Sequence, residues 1–413
     1  METNRQELIR RYARLIVRTG LNVQPEQEVL VNALVDAAPF IRLIVKEAYD
    51  AGAKKVDVIW KDEEIARTEY AALPLSAYEA VPDWQAVLRN GIVQRGGCVL
   101  TIDSADPAAF AGVDPKKPAA WVKAMHRDCK PYYDGLYKGR NTWCIAAIPS
   151  PNWAKKVFPA LPEEQAIDRL WDAILTAVRA DEPDPDAAWE EHRKSFAEKK
   201  AFLNDSRFDA LRLESPSTGT NITVGLPEGH IWAGGGDRVQ NGTWFFPNMP
   251  TEEIFCSPHR DRVDGVVHNA LPLCYQGNLI DHFSLTYQGG KVVDFSAETG
   301  YETLKALLET DEGALRLGEC ALIPKGSPIA RTGILFYNTL FDENAACHFA
   351  MGSGFEECVE GGLAMTEEEL LAHGINQSAA HVDFMFGTDD LSITGIGRDG
   401  SETPVFRDGK WAF

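Results

Sequence analysis

Acids and histidines between Glu253 and Asp383 have a spacing that suits two divalent metals, and the series ends in the tripeptide His381-Val-Asp383. Glu253 closes Pro250-Thr-Glu-Glu253, Glu319 closes Leu317-Gly-Glu319, and His348 closes Asn344-Ala-Ala-Cys-His348. On a strand, a His-x-Asp sends both side chains to one face, because strand side chains alternate with period two. Imidazole plus carboxylate on one face suits zinc, cobalt or manganese better than calcium, which prefers oxygen-only shells. Two metals about 3.5–4 Å apart and bridged by carboxylate serve phosphatases, nucleases and aminopeptidases. The expected reaction class is therefore hydrolysis.

Taken singly, each of these residues is ordinary: a lone Glu is usually solvated and a half-buried His usually satisfies a core hydrogen bond. Their flanks change the reading. Glu319 lies within Leu317-Gly-Glu-Cys-Ala-Leu-Ile323, and His381 just precedes Phe384-Met-Phe-Gly387. A charge inside an apolar strand is costly unless it is paired or bound to metal.

Three longer runs carry a family resemblance. Asn248-Met-Pro-Thr-Glu-Glu253, Phe336-Tyr-Asn-Thr-Leu-Phe-Asp-Glu-Asn-Ala345 and His381-Val-Asp-Phe-Met385 resemble motifs of the thermophilic-type metalloaminopeptidases, the aminopeptidase T and aminopeptidase S family. Leu21-Asn-Val-Gln-Pro25 is similar to that family's N-terminal region, so the resemblance spans essentially the whole chain. It implies that Glu253, Glu319, His348, His381 and Asp383 carry two divalent ions (zinc, cobalt or manganese), without saying which carboxylate bridges. It also implies short peptides as substrates and a homodimer whose N-terminal domains help enclose the site. Glu252 is either a general base acting on water or an acid that orients a ligand; both readings stand. One position departs from the family pattern. Where a tyrosine is common seven residues after His348, this chain has Phe355, whose ring donates no hydrogen bond. That departure motivates a rival reading, a peptide- or metal-binding protein whose catalysis has decayed. A dipeptidase or an amidohydrolase of non-peptide amides is a second alternative.

At 413 residues the chain exceeds what one core usually supports, so two domains are expected. A formal net charge of −20 leaves nothing to neutralise phosphates and argues against nucleic acid. No apolar run approaches a bilayer span, and Met1-Glu-Thr-Asn-Arg-Gln-Glu-Leu-Ile lacks the order of a signal peptide. A cytoplasmic protein with no membrane partner is the reading. The eight cysteines contain no Cys-x-x-Cys pair and read as reduced, buried small hydrophobes.

The elements that must hold the site follow from periodicity. Val29 to Asp50 is rich in helix formers and reads as a helix stopped at Gly52. Val56–Trp60, Cys98–Ile102 and Trp143–Ile148 read as buried strands, and Ile167 to Val178 as one face of a helix. Strands alternating with helices predict an α/β domain with a mostly parallel sheet over residues 1–211. Residues 212–413 read as a β-rich α+β catalytic domain, with strands near 221, 265, 279 and 291 and one helix over Ala297 to Leu308. Gly234-Gly-Gly236 reads as a tight turn, and no His-Glu-x-x-His occurs. The aromatic run Trp244-Phe-Phe-Pro247 is expected to pack the catalytic core. His230, His259, His268, His282 and His373 read as surface or hydrogen-bonding residues.

Overall fold

The computed structural model describes residues 2–275 and 278–413 and divides into two compact units. The first comprises Met1–Glu191 with Gly236–Pro250, the second His192–Gly235 with Thr251–Phe413. Where the sequence reading sets one break near Leu211, the chain passes between units at Glu191 and lends residues 236–250 back to the first. Hydrogen bonding explains the loan: Asn248–Met249 pairs with Ile145 and Ala146 as the outermost strand of the first unit's sheet.

That sheet has five strands, all parallel, in the spatial order 248–249, 143–147, 98–103, 28–34, 55–61. Helices Ala38–Asp50, Asp83–Gln94 and Lys116–Asp128 fall between its strands in sequence, the arrangement that parallel pairing requires. The Val29–Asp50 expectation needs correction. Glu28–Leu34 is a central strand with five consecutive buried residues, and only Ala38–Asp50 is helical. A strand covered on both faces is a continuous apolar run, which periodicity cannot separate from a buried helix. The aromatic run also lies elsewhere than expected. Phe245 and Phe246 are buried in the first unit, their rings 6.3 Å from Trp143 and 4.8 Å from Trp189 respectively.

The second unit is built from antiparallel strands. A nine-stranded sheet includes Ala210–Ser215, Thr220–Gly225, Val263–His268 and the long hairpin Asn278–Gln288 with Lys291–Thr299. The hairpin turns through Gly289 and Gly290, both at positive φ, as a two-glycine turn allows. The helix expected over Ala297 to Leu308 begins only at Tyr301, because Ala297–Thr299 continue the hairpin strand. A second sheet holds five strands in the order 381–385, 348–352, 317–322, 254–256, 233–234, antiparallel throughout.

This smaller sheet has two unlike faces. Ile254, Cys256, Cys320, Leu322, Phe349, Met351 and Phe384 alternate onto one face and are fully buried in the unit's core. Phe349 stacks on Phe386 at 4.2 Å and meets Phe384 at 6.0 Å. Truncating it leaves a cavity under the sheet. Phe349→Ala should therefore cost about 3–5 kcal/mol of stability, seen as a lower urea midpoint for the second unit; an unchanged midpoint would contradict this account of the core.

Candidate metal centre

The other face of the small sheet carries the candidate acids and histidines. Cα pairing sets Glu319 opposite Ala350 and Ala350 opposite Asp383, so the two acids flank an alanine on one rung. His381 lies two residues before Asp383, opposite Gly352, and His348 two before Ala350, opposite Ala321. Period two puts all of these side chains on the same face. The intervening positions are Ala321, Ala350 and Gly352, which leave space between the long polar groups.

A bulge tunes this alignment. Leu317 opposes Met351 and Glu319 opposes Ala350, so Gly318 is an extra residue in its strand. A Cβ on Gly318 would lie 2.0 Å from the Ser353 carbonyl oxygen, a spacing only glycine permits. That same carbonyl accepts from His381 Nδ1 at 2.8 Å. Gly234, at φ +110, similarly allows its strand to approach the Glu253 carbonyl oxygen, which a Cβ would meet at 2.4 Å.

The five expected ligands converge. His348 Nε2 is 3.5 Å from Glu253 Oε2 and 3.9 Å from Glu319 Oε1. His381 Nε2 is 3.4 Å from Glu319 Oε2 and 3.4 Å from Asp383 Oδ1. Two groups result, Glu253/Glu319/His348 and Glu319/His381/Asp383, each with one donor atom per residue lying within 4.8 Å of the others. Glu319 belongs to both and turns one oxygen to each histidine. Both imidazoles face the cluster with Nε2, their Nδ1 atoms being held by the carbonyls of Ala346 at 3.3 Å and Ser353 at 2.8 Å. Fixing the far nitrogen is how proteins orient a metal-binding imidazole.

These residues fit cations. Asp383 Oδ1 is buried without a hydrogen-bond partner, which is expensive unless something else neutralises it. The recorded ion-pair partners of Glu253, Glu319 and Asp383 are the two histidines alone, among the described residues. A donor set of imidazole and carboxylate favours zinc, cobalt or manganese. Cysteine takes no part: the Cys347 thiol exchanges hydrogen bonds with the Ile323 backbone, and Cys320 lies on the core face. Seven of the eight cysteines are buried, and all are free thiols.

Electrostatics records the crowding. Burial and the nearby Glu319 push the Glu253 carboxyl well above its ordinary range. Burial opposes charge on His381, but Asp383 and Glu319 outweigh it and raise the imidazole to about 11. His348 moves the same way, against its burial, through Glu319, Asp383 and Glu253. Asp383 falls despite its burial because His381 pairs with it.

Three residues near the centre escape a search by ligand spacing. Glu343, half-buried in the turn after helix Thr339–Asp342, feels Glu253, Asp383, Glu319 and His381, and burial raises its carboxyl well above the ordinary range. It stands inside the run Phe336…Ala345, so its acidity next to a motif was the available signal. His192, on helix Pro185–Ser206, and Asn344 together grip one peptide group. His192 Nε2 meets the Thr251 carbonyl at 2.8 Å, and Asn344 Oδ1 accepts the Glu252 N–H at 2.7 Å. Glu252 itself is buried with Oε2 3.8 Å from His192 Nε2. Nothing in local sequence links residues 192 and 252. Phe355 lies beside the centre, its ring 5.0 Å from that of His381 and its N–H bonded to Ser257 Oγ at 2.8 Å.

Protons and metal compete for these atoms. Raised pKa values on Glu253, His348 and His381 mean that the cation-free site holds protons at neutrality, and a metal must displace them. Affinity for zinc should thus climb with pH through neutrality and beyond the ordinary histidine range of about 6.5, with protons released on loading. Calorimetry in buffers of different ionisation heat measures that release; binding with no proton release would contradict the assignment.

The chain is similar to known proteins over nearly its whole length. The family model for the thermophilic metalloprotease (M29) matches residues 5–411. Aminopeptidase 2 of Geobacillus stearothermophilus is 45% identical over 403 residues, covering 98% of this chain and 97% of its own. Aminopeptidase T of Thermus thermophilus is 42% identical over 403 residues, covering 98% of each chain. The solved structure described as wild-type AmpT from Thermus thermophilus superposes with a TM-score of 0.91 at 41% identity, covering 99% of this chain and 100% of that one.

Proposed function

The chain belongs to the thermophilic metalloprotease (M29) family, and from that membership we propose that it is an aminopeptidase releasing N-terminal residues from short peptides at a two-metal centre. The observation that carries the two-metal reading is Glu319, shared by two ligand groups with one oxygen toward each histidine. Glu253 and His348 would hold one ion, His381 and Asp383 the other, and Glu319 would span both.

When bound, the ions polarise the scissile carbonyl and make water more acidic. The chain's own groups do the rest. Glu252 takes the proton from the attacking water and returns it to the leaving amine, as one carboxylate can do. The grip of His192 and Asn344 on the Thr251–Glu252 peptide keeps that carboxylate and Glu253 in register. Phe355 shields the His381 ring and supplies no donor. If Glu252 only steadies the ligand segment, Glu252→Gln will lower metal content instead of turnover.

The ligand groupings among the described residues all lie in the second unit. This supports a division in which the second unit, His192–Gly235 with Thr251–Phe413, does the chemistry and the first serves assembly and gating in a homodimer. No helix is long and apolar enough to cross a membrane; we place the enzyme in the cytoplasm.

Zinc-, cobalt- or manganese-loaded protein should release free amino acid from aminoacyl chromogenic amides, and exhaustive chelation should abolish this. Activity that survives chelation sinks the metal mechanism. Blocking the α-amine should stop turnover; equal cleavage of blocked substrates favours an amidohydrolase, and two bound metals with no hydrolysis of any peptide favour the decayed-site reading. Glu252→Gln should lower kcat by about 100-fold or more at unchanged metal content. Solution mass should correspond to a dimer, and long unfolded chains should be cleaved poorly; a monomer that digests them freely refutes the gated assembly.

A further inference from the structure

The parallel sheet of the first unit has a polar end of its own. Strand Glu28–Leu34 lies between Lys55–Lys61, which follows it in the chain, and Cys98–Asp103, which comes later. The connections therefore diverge at the carboxyl ends of 28–34 and 98–103, and open parallel sheets bind ligands in the crevice that such a divergence leaves. Asn32 pairs with Ile59 and with Thr101, so period two puts Lys61 and Asp103 on the Asn32 face. Helix Asp83–Gln94 covers that face, its Ile92 and Val93 joining Leu30 and Val99 in one core cluster.

From this helix Arg89 enters the same face. It is 5% exposed, its Nη1 is buried without a hydrogen-bond partner, and its Nη2 has a long one, 3.5 Å to Asn32 Oδ1. No carboxylate pairs with it among the described residues. Its charge is felt by Cys129, Tyr132, Tyr133 and Lys61, of which only the lysine is charged, and with the same sign. A buried cation among such neighbours is strongly unfavourable alone, and its planar fork matches the two oxygens of an anion. Lys61 reaches solvent at the end of its strand, yet burial and then Arg89 lower its ammonium, against the pull of Asp103. Asp103 accepts the Ala105 N–H at 3.0 Å, while Asp36 and Asp106 act on Glu63. Two cations against Asp103 leave one positive charge, which a carboxylate neutralises and a phosphate dianion exceeds.

We propose that the carboxyl end of the first unit's sheet is a binding site for a small carboxylate, its two oxygens taken by the Arg89 guanidinium and its charge shared with Lys61. The site belongs to the first unit, whereas the metal-ligand groupings among the described residues lie in the second. It gives the α/β unit a ligand of its own and does not depend on which peptides the metal centre cleaves.

The test titrates the metal-loaded full chain, wild type, Lys61→Gln and Arg89→Met, with isotope-labelled acetate followed by NMR line broadening. The wild type should show saturable binding with a dissociation constant on the order of 1 mM. Lys61→Gln should weaken it about 10-fold and Arg89→Met should abolish it, each losing a charge-assisted hydrogen bond. Acetate held by the metals is common to the three forms, so their difference reports this site alone. In chloride without acetate, Arg89→Met should unfold at the wild-type urea midpoint or above, because an apolar side chain replaces a buried charge that lacks a partner. Equal acetate binding in all three forms, a preference for inorganic phosphate over acetate, or a lowered midpoint with acetate binding intact each overturns the proposal. Should Arg89→Met fail to fold, the comparison of Lys61→Gln with the wild type decides alone.

Discussion

Carboxylates crowded on one sheet face repel one another, and the surrounding structure answers that repulsion. Glu253, Glu319 and Asp383 share a small volume with two imidazoles. At such spacings in a low-dielectric setting, like charges destabilise by several kcal/mol unless countered. Without cations the protein counters them with protons, which is why the Glu253 carboxyl and the His381 imidazole are both pushed up. Divalent cations would answer the same repulsion. The site is in this sense pre-strained toward metal, and the apolar core beneath the sheet is what keeps the acids from moving apart.

Rigidity has local sources. The rung through Glu319, Ala350 and Asp383 belongs to three adjacent strands, so no ligand on it moves without breaking a ladder. The carbonyls of Ala346 and Ser353 fix the imidazoles, and the Gly318 bulge makes room for the second of these. The Thr251–Glu252 peptide is held at its carbonyl by His192 and at its N–H by Asn344. Asn344 therefore links the segment before Glu253 to the turn carrying Glu343, 92 residues away in the chain from Glu252.

The legible part of the molecule was that in which local pattern and three-dimensional role coincide. A His-x-Asp on a strand declares its face and acids inside apolar runs declare their cost; the family resemblance completed the set of five candidate ligands, whose side chains the fold brings together. The strands at residues 98–103 and 143–147 were equally open to reading as apolar runs, whereas 55–61, expected as a buried strand, lies at the edge of its sheet with no buried residue and Trp60 exposed. What stayed hidden depends on distance along the chain. Periodicity merges Glu28–Leu34 with the helix after it. Asn248–Met249 joins a sheet formed more than 100 residues earlier, which no local signal announces. His192 acquires its role only when its helix is packed, and the family motif contained Glu343 without marking it as different from Asp342.

Alternation along the small sheet also dictates what heredity can alter. Ligands and core side chains interleave one by one at Glu319-Cys320, His348-Phe349 and Asp383-Phe384. A single codon lost within any of these strands would turn its remaining acids and imidazoles into the oil beneath and its phenylalanines into the water above. Point changes at Ala321 or Ala350 merely crowd the site. Descendants of this chain are therefore free to vary in the length of their turns, while the strands that bear the ligands are frozen in residue count, and their reading frame in space is inherited as strictly as the one in the gene.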